Sequence, residues 1–145
     1  MRPGDSFLLG ADLRKDPAII EAAYNDSQGV TAEFNLNVLR VLNRDLGADF
    51  DLATFEHRAF YRTLHRIEMH LVSTDDQTVR IPDVGTVSFA GGESIRTEIS
   101  CKYDRASLTE MLGSAGMRID RWISDAAASY ALVVASLDKS DGLAG

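Results

Sequence analysis

The chain has 145 residues, 45% hydrophobic and 26% charged, with 15 Lys and Arg against 22 Asp and Glu for a formal charge of −7. That mixture belongs to a folded domain, and a net field of that sign gathers no phosphates, which argues against a general nucleic-acid or anionic-membrane binder. A single cysteine, Cys101, permits no internal disulfide and, with three scattered histidines, no structural zinc set, so the reducing cytosol is the expected compartment.

No secretory signal is visible, because the apolar run Phe7-Leu8-Leu9-Gly10-Ala11 is too short for a signal core. Tyr130 to Ala135 falls far short of the roughly 18 to 20 residues that cross a bilayer. The nearly continuous apolar stretch 6–11 predicts a strand buried on both faces, the kind found in parallel sheets. Asp16 as N-cap and Pro17 in the first turn then predict a short helix through Tyr24. From Thr31 the residues Phe34, Val38, Val41 and Leu42 recur at helical spacing and predict an apolar face, ending at Leu46 with Gly47 free to take the left-handed conformation. Asp51 caps one further turn through Glu56.

Between Arg58 and Lys102 the period changes to two. Ile67, Met69 and Leu71 share one side of a strand and Arg66, Glu68 and His70 the other. Val79 and Ile81 precede a turn at Pro82-Asp83-Val84-Gly85, and Val87 and Phe89 precede another at Gly91-Gly92. Ile95, Thr97, Ile99 and Cys101 fall on one face of the next strand, with Arg96, Glu98, Ser100 and Lys102 opposite. An antiparallel meander is expected. Ser107-Leu108-Thr109-Glu110 reads as a capping box opening a helix to about Gly116, followed by strands 118–123 and 130–137 and a loose tail over the last ten residues.

His65 and His70 are expected on opposite faces of a strand and His57 at the surface, a pattern without a metal site. Cys101 reads as a small buried hydrophobe. The eleven glycines include no G-x-G, so the turn that brings backbone amides against a nucleotide is absent. The informative constellation is Glu98 and Ser100, about 6 to 7 Å apart on one strand face, a carboxylate acceptor beside a hydroxyl that can donate or accept. Such a pair suits a small ring carrying both N–H and N, with Met69 as an apolar wall and Tyr24 as a phenol at a helix end. The competing reading pairs Glu98 with Arg96 or Lys102 on a solvated face and leaves Met69 in the core.

The blocks Phe7-Leu8-Leu9-Gly10-Ala11-Asp12-Leu13-Arg14-Lys15-Asp16-Pro17, Ala22-Ala23-Tyr24-Asn25-Asp26, Gly29-Val30-Thr31-Ala32-Glu33-Phe34-Asn35-Leu36-Asn37, Arg66-Ile67-Glu68-Met69 and Arg96-Thr97-Glu98-Ile99-Ser100-Cys101-Lys102-Tyr103 resemble the histidine-specific S-adenosylmethionine-dependent methyltransferases of ergothioneine biosynthesis. The resemblance implies an α/β fold with an α+β insertion. It corresponds to the C-terminal part of a class I (Rossmann-like) methyltransferase sheet with an antiparallel-sheet substrate-binding domain. Residues 1–14 would be a sheet strand, 15–102 the inserted domain, and 103–145 the closing helix and two strands. By the same resemblance Glu98 and Ser100 hold the substrate imidazole, Met69 lines that pocket and Tyr24 binds the amino-acid end. L-histidine is then the substrate and S-adenosyl-L-methionine the cosubstrate, bound by an N-terminal half outside this chain. The chain alone is expected to be inactive and to self-associate through uncovered strands; a histidine-like binding module or a truncated remnant is the alternative.

Overall fold

The computed structural model describes residues 1–138. In chain order the elements are β1 (Ser6–Asp12), α1 (Pro17–Tyr24), α2 (Val30–Leu46), a 3-10 turn (Leu52–Thr54), β2 (Phe55–Arg62), β3 (Arg66–Ser73), β4 (Gln77–Ile81), β5 (Gly85–Phe89), β6 (Ser94–Cys101), α3 (Arg105–Ser114), β7 (Met117–Ser124) and β8 (Tyr130–Leu137). The chain divides into two units: Met1–Lys15 with the stretch from Cys101 onward, and Asp16–Ser100. Of the tail expected over the last ten residues, Ser136 and Leu137 instead close β8, and 139–145 lie outside the described residues.

In the first unit β8 is the middle strand of the order β1-β8-β7, antiparallel to both neighbours. Its period-two pattern buries Ala131, Val133 and Ala135 beside Ala11 and Leu13, under Leu108 and Leu112 of α3. Burying a side chain such as Leu108 or Val133 stabilises the fold by about 1.5–3 kcal/mol.

The expectation of a doubly buried strand in a parallel sheet is corrected here. β1 is an antiparallel edge strand whose Phe7 is 39% and Leu8 65% exposed. Only the face toward α3 is covered. The register aligns Leu8 with Val134 and Gly10 with Leu132 on the other face, where Leu8 and Leu132 are exposed. An apolar run thus marks two apolar faces without showing that both are covered.

The helix after β6 starts earlier than Ser107. Asp104 is its N-cap, accepting from the Ser107 amide at 2.7 Å, while the Ser107 hydroxyl accepts from the Asp104 amide at 3.0 Å. Ser107 is therefore the third residue of the box, because an acidic cap one turn upstream captures the free amide first.

In the second unit α1 and α2 pack on β2 and β3, within a sheet of order β2-β3-β6, and β4 and β5 form a separate hairpin. Its turn places Asp83 at φ 65°, where the Ile81 carbonyl accepts from the Val84 amide. Phe50, Phe55 and Phe89 meet at ring separations of 5.5–6.4 Å in a cluster with Leu39, Leu71 and Val79.

α2 ends as expected at Gly47, whose φ of 64° favours glycine. Its buried stripe differs from the expected one: Asn35 and Leu39 are buried, while Phe34 is 63% and Val38 44% exposed. The helix is rotated toward a polar anchor. Asn35 Nδ2 donates to His57 Nδ1 at 2.9 Å and to the His70 carbonyl at 3.2 Å, bonds that an apolar-only count does not register.

Candidate functional site

The site begins with alternation on β3. Ile67, Met69 and Leu71 are buried in apolar clusters on the helical side, where Met69 packs with Ile20, Ala59 and Ile67. Arg66, Glu68 and His70 take the opposite side.

Glu68 is also buried, and it lies at the centre of a charged network. Its Oε1 accepts from Arg66 Nε at 2.8 Å and Nη2 at 2.5 Å and lies 3.6 Å from Arg96 Nη1; its Oε2 lies 3.4 Å from both Arg62 Nε and His70 Nε2. The hydrogen bonds from Arg66 chiefly hold this carboxyl at about 2, below its ordinary 4.5, against the upward push of desolvation. His70 Nδ1 lies 2.9 Å from the Ser94 hydroxyl. Phe60 packs on the His70 ring at 4.7 Å, and Arg62 lies over Phe60 at 4.3 Å. Nothing in the sequence reading singled out this network. The signal available was three arginines flanking one glutamate on residues of the same strand parity.

Those contacts orient β6. Ser94 and Arg96 reach His70 and Glu68, so the even residues at this end of β6 turn to the charged face; beyond Glu98 the alternation breaks, with Ile99 exposed and Ser100 half-buried. On the other parity Ile95 packs against the Leu71 cluster and the Thr97 hydroxyl donates to the Met69 carbonyl at 3.1 Å. The Met69 side chain lies in the apolar cluster on the helical side, opposite Arg96 and Glu68. The solvated-face pairings weighed for Glu98 are not made. Arg96 goes to Glu68, Lys102 to Asp12, and among the described residues no hydrogen bond or ion pair reaches Glu98.

Tyr24 closes α1 and packs against the cluster containing Met69. Its backbone is held by β2: the Tyr24 carbonyl lies 2.9 Å from His57 Nε2, whose Nδ1 meets Asn35. Since Nδ1 accepts from Asn35, Nε2 carries the proton and donates to Tyr24. His57, expected at the surface, is thus a half-buried strut between a strand and two helices. His65 also departs from expectation, sitting in the turn between β2 and β3 at φ 53°. No cluster of ligating side chains that could hold a metal occurs among the described residues.

Cys101 is exposed rather than buried, because β6 ends there and its odd face is no longer covered. Next to it Lys102 is fully buried, its ammonium 2.7 Å from Asp12. Burial pushes the Tyr103 phenol up, and the neighbouring Cys101 adds to the shift.

Among the described residues the helix N-termini do not fit the S-adenosylmethionine that the resemblance implies. A helix N-terminus offers a ligand its free amides, but each helix of the described residues fills its own. Asp16 accepts from Ala18, Asp26 from Val30 and Thr31, and Asp104 from Ser107. The hydrogen bonds from Thr31 and Val30 hold the Asp26 carboxyl at about 2. Concavities of about 540 and 490 Å³ are lined by other stretches, around Arg118 and Ser136 and around Gln77 and Phe89.

A family model described as histidine-specific, S-adenosylmethionine-dependent methyltransferase matches residues 1–137. The chain is 46% identical over 138 residues to the histidine N-alpha-methyltransferase of Mycobacterium tuberculosis, and 46% identical over 137 residues to that of Mycolicibacterium smegmatis. These alignments cover 94% and 93% of this chain but 43% of each relative. A protein named ergothioneine biosynthesis protein 1 from Neurospora crassa is 29% identical over 135 residues, covering 83% of this chain and 14% of that protein. On the extent of the family match, the chain belongs to the histidine-specific, S-adenosylmethionine-dependent methyltransferases.

Proposed function

We propose that this chain is the substrate-binding and C-terminal portion of an S-adenosylmethionine-dependent L-histidine N-alpha-methyltransferase of ergothioneine biosynthesis, acting with a cosubstrate-binding portion outside its own residues. The observation that carries the reading is the exposed Glu98 carboxylate, which no hydrogen bond or ion pair reaches among the described residues, two positions from Ser100 in a chain that the histidine-specific family covers. In this reading Glu98 accepts from the imidazole N–H and Ser100 faces the second ring nitrogen. The family resemblance adds Tyr24 for the amino-acid end and Met69 for the pocket wall; these two pack together on the helical side of β3, away from the face of Arg96 and Glu68, so the geometry supports the Glu98 part of the site and not a contact of Met69 with the same ring. These groups orient the substrate, with no nucleophile among them. Selectivity follows from desolvation, since an amino acid without ring nitrogens leaves the Glu98 carboxylate without a donor on burial.

The proposed architecture is a class I methyltransferase sheet contributing β1, β7 and β8, with the unit Asp16–Ser100 as the inserted substrate domain. The order β1-β8-β7, in which β8 opposes both neighbours, and the division of the chain at Lys15 and Ser100 support it.

Calorimetry with L-histidine and with S-adenosylmethionine tests the proposal. The chain is expected to take up histidine weakly and the cosubstrate not at all, and Glu98→Ala is expected to weaken histidine binding about tenfold or more. Histidine uptake indifferent to Glu98 overturns the site, and methyl transfer by this chain alone overturns the division of labour.

A further inference from the structure

Arg96 stands two positions before Glu98 on the same face of β6, the spacing at which neighbouring opposite charges on a strand pair. It turns instead to Glu68 on β3, at 3.6 Å. The Glu68 carboxylate is saturated, with Arg66 and Arg96 at one oxygen and Arg62 and His70 at the other. Glu98 is the only other acid of that parity on β3 and β6. A guanidinium offered a buried and an exposed carboxylate gains more from the buried one, where solvent and salt screen the attraction less.

We propose that Glu68 is a positioning residue that holds Arg96 and Arg66 off Glu98 and so keeps the Glu98 carboxylate free for a ring N–H. The inference rests on the reading of Glu98 as the imidazole-binding group. Its physical content is a competition between two carboxylates for the same arginines. Removing the buried acceptor leaves those arginines without their counter-charge and makes Glu98 their partner, which turns a binding group into half of a surface ion pair.

The test uses the full chain labelled with 15N at arginine side chains and backbone amides, with L-histidine as the probe. The Arg96 Nε–H resonance is expected to ignore Glu98→Gln in the otherwise unchanged chain and to shift with it in Glu68→Gln. The histidine dissociation constant is expected to rise about tenfold in Glu68→Gln and to return to within about threefold when Arg96→Gln is added. An Arg96 signal in Glu68→Gln that ignores Glu98 overturns the proposal, as does a loss of binding that Arg96→Gln leaves unrepaired, because that marks Glu68 as merely structural. If Glu68→Gln does not fold, Glu68→Asp, which keeps the charge on a shorter arm, is read in the same way. Absence of histidine binding by the unmodified chain removes the imidazole reading of Glu98, while the arginine resonances still decide where Glu68 holds its partners.

Discussion

Asn25 takes the place of a neighbouring strand for Ala59: its Oδ1 accepts from the Ala59 amide at 3.0 Å and its Nδ2 donates to the Ala59 carbonyl at 2.8 Å. One turn earlier on α1, Glu21 accepts from the Tyr61 amide at 2.7 Å. The two side chains cap the outer edge of β2, which would otherwise expose unpaired backbone to a second molecule, and they tie down the helix end that carries Tyr24.

Asn25→Ala is therefore expected to lower stability by about 2 kcal/mol, since it strips partners from both backbone groups of a buried residue. Glu21→Gln, which keeps the accepting oxygen, is expected to stay within about 0.5 kcal/mol of the parent. Urea midpoints measure both, and light scattering should show more self-association for Asn25→Ala. Equal midpoints for Asn25→Ala and the parent would mean that water serves this edge as well as the amide does.

Asp26 and Glu68 govern the acid limb of stability. Both carboxyls titrate near 2 in the folded chain, below ordinary values of 3.8 and 4.5, so the unfolded chain takes up their protons first as the pH falls. The stabilisation is fully present above pH 4.5 and is lost progressively toward pH 2. Asp26→Asn is expected to flatten that limb in acid denaturation, because the amides of Val30 and Thr31 then lose a charged acceptor. An acid limb identical to the parent's would place the dependence on the other lowered carboxyls, Glu68, Asp12 and Asp125 among them.

The sequence displayed local punctuation well and covering partners poorly. Pro17, Gly47 and the turn at Asp83 act through their own backbone, and all three features stand where chain chemistry puts them. Whether an apolar residue is buried depends instead on what lies across from it. Phe34 and Val38 fit a helical period yet face outward because Asn35 anchors the opposite rotation, and Leu8 is exposed because its face of β1 is uncovered. Glu98 was legible as an acid on a strand from period two alone. The role of Glu68 was not legible, because it depends on arginines from two other strands, brought to it by the sheet order.

Cys101 gives a direct chemical check on that lesson. As the exposed last residue of β6 it is expected to react with a small disulfide reagent in the folded chain within about tenfold of its rate in denaturant. Strong protection, released only by unfolding, would return it to the buried role that its sequence context suggests.

Lys102 and Asp12 offer the sharpest contrast between two halves of one ion pair. The ammonium side chain is fully buried, whereas the Asp12 side chain is 33% exposed and also meets Lys15 at 2.6 Å. Burial alone would raise the Asp12 carboxyl, but hydrogen bonds from Lys102 and Lys15 outweigh it and leave it lowered. Lys102→Met replaces the buried charge by an apolar side chain of similar length, and the remaining carboxylate can turn to Lys15 and water, so a loss of about 1 kcal/mol is expected. Asp12→Asn leaves a buried ammonium without its carboxylate and is expected to cost about 3 kcal/mol. Denaturant midpoints of the two variants measure the asymmetry. The reverse order would show that water reaches Lys102 readily and that the exposed partner holds the pair together.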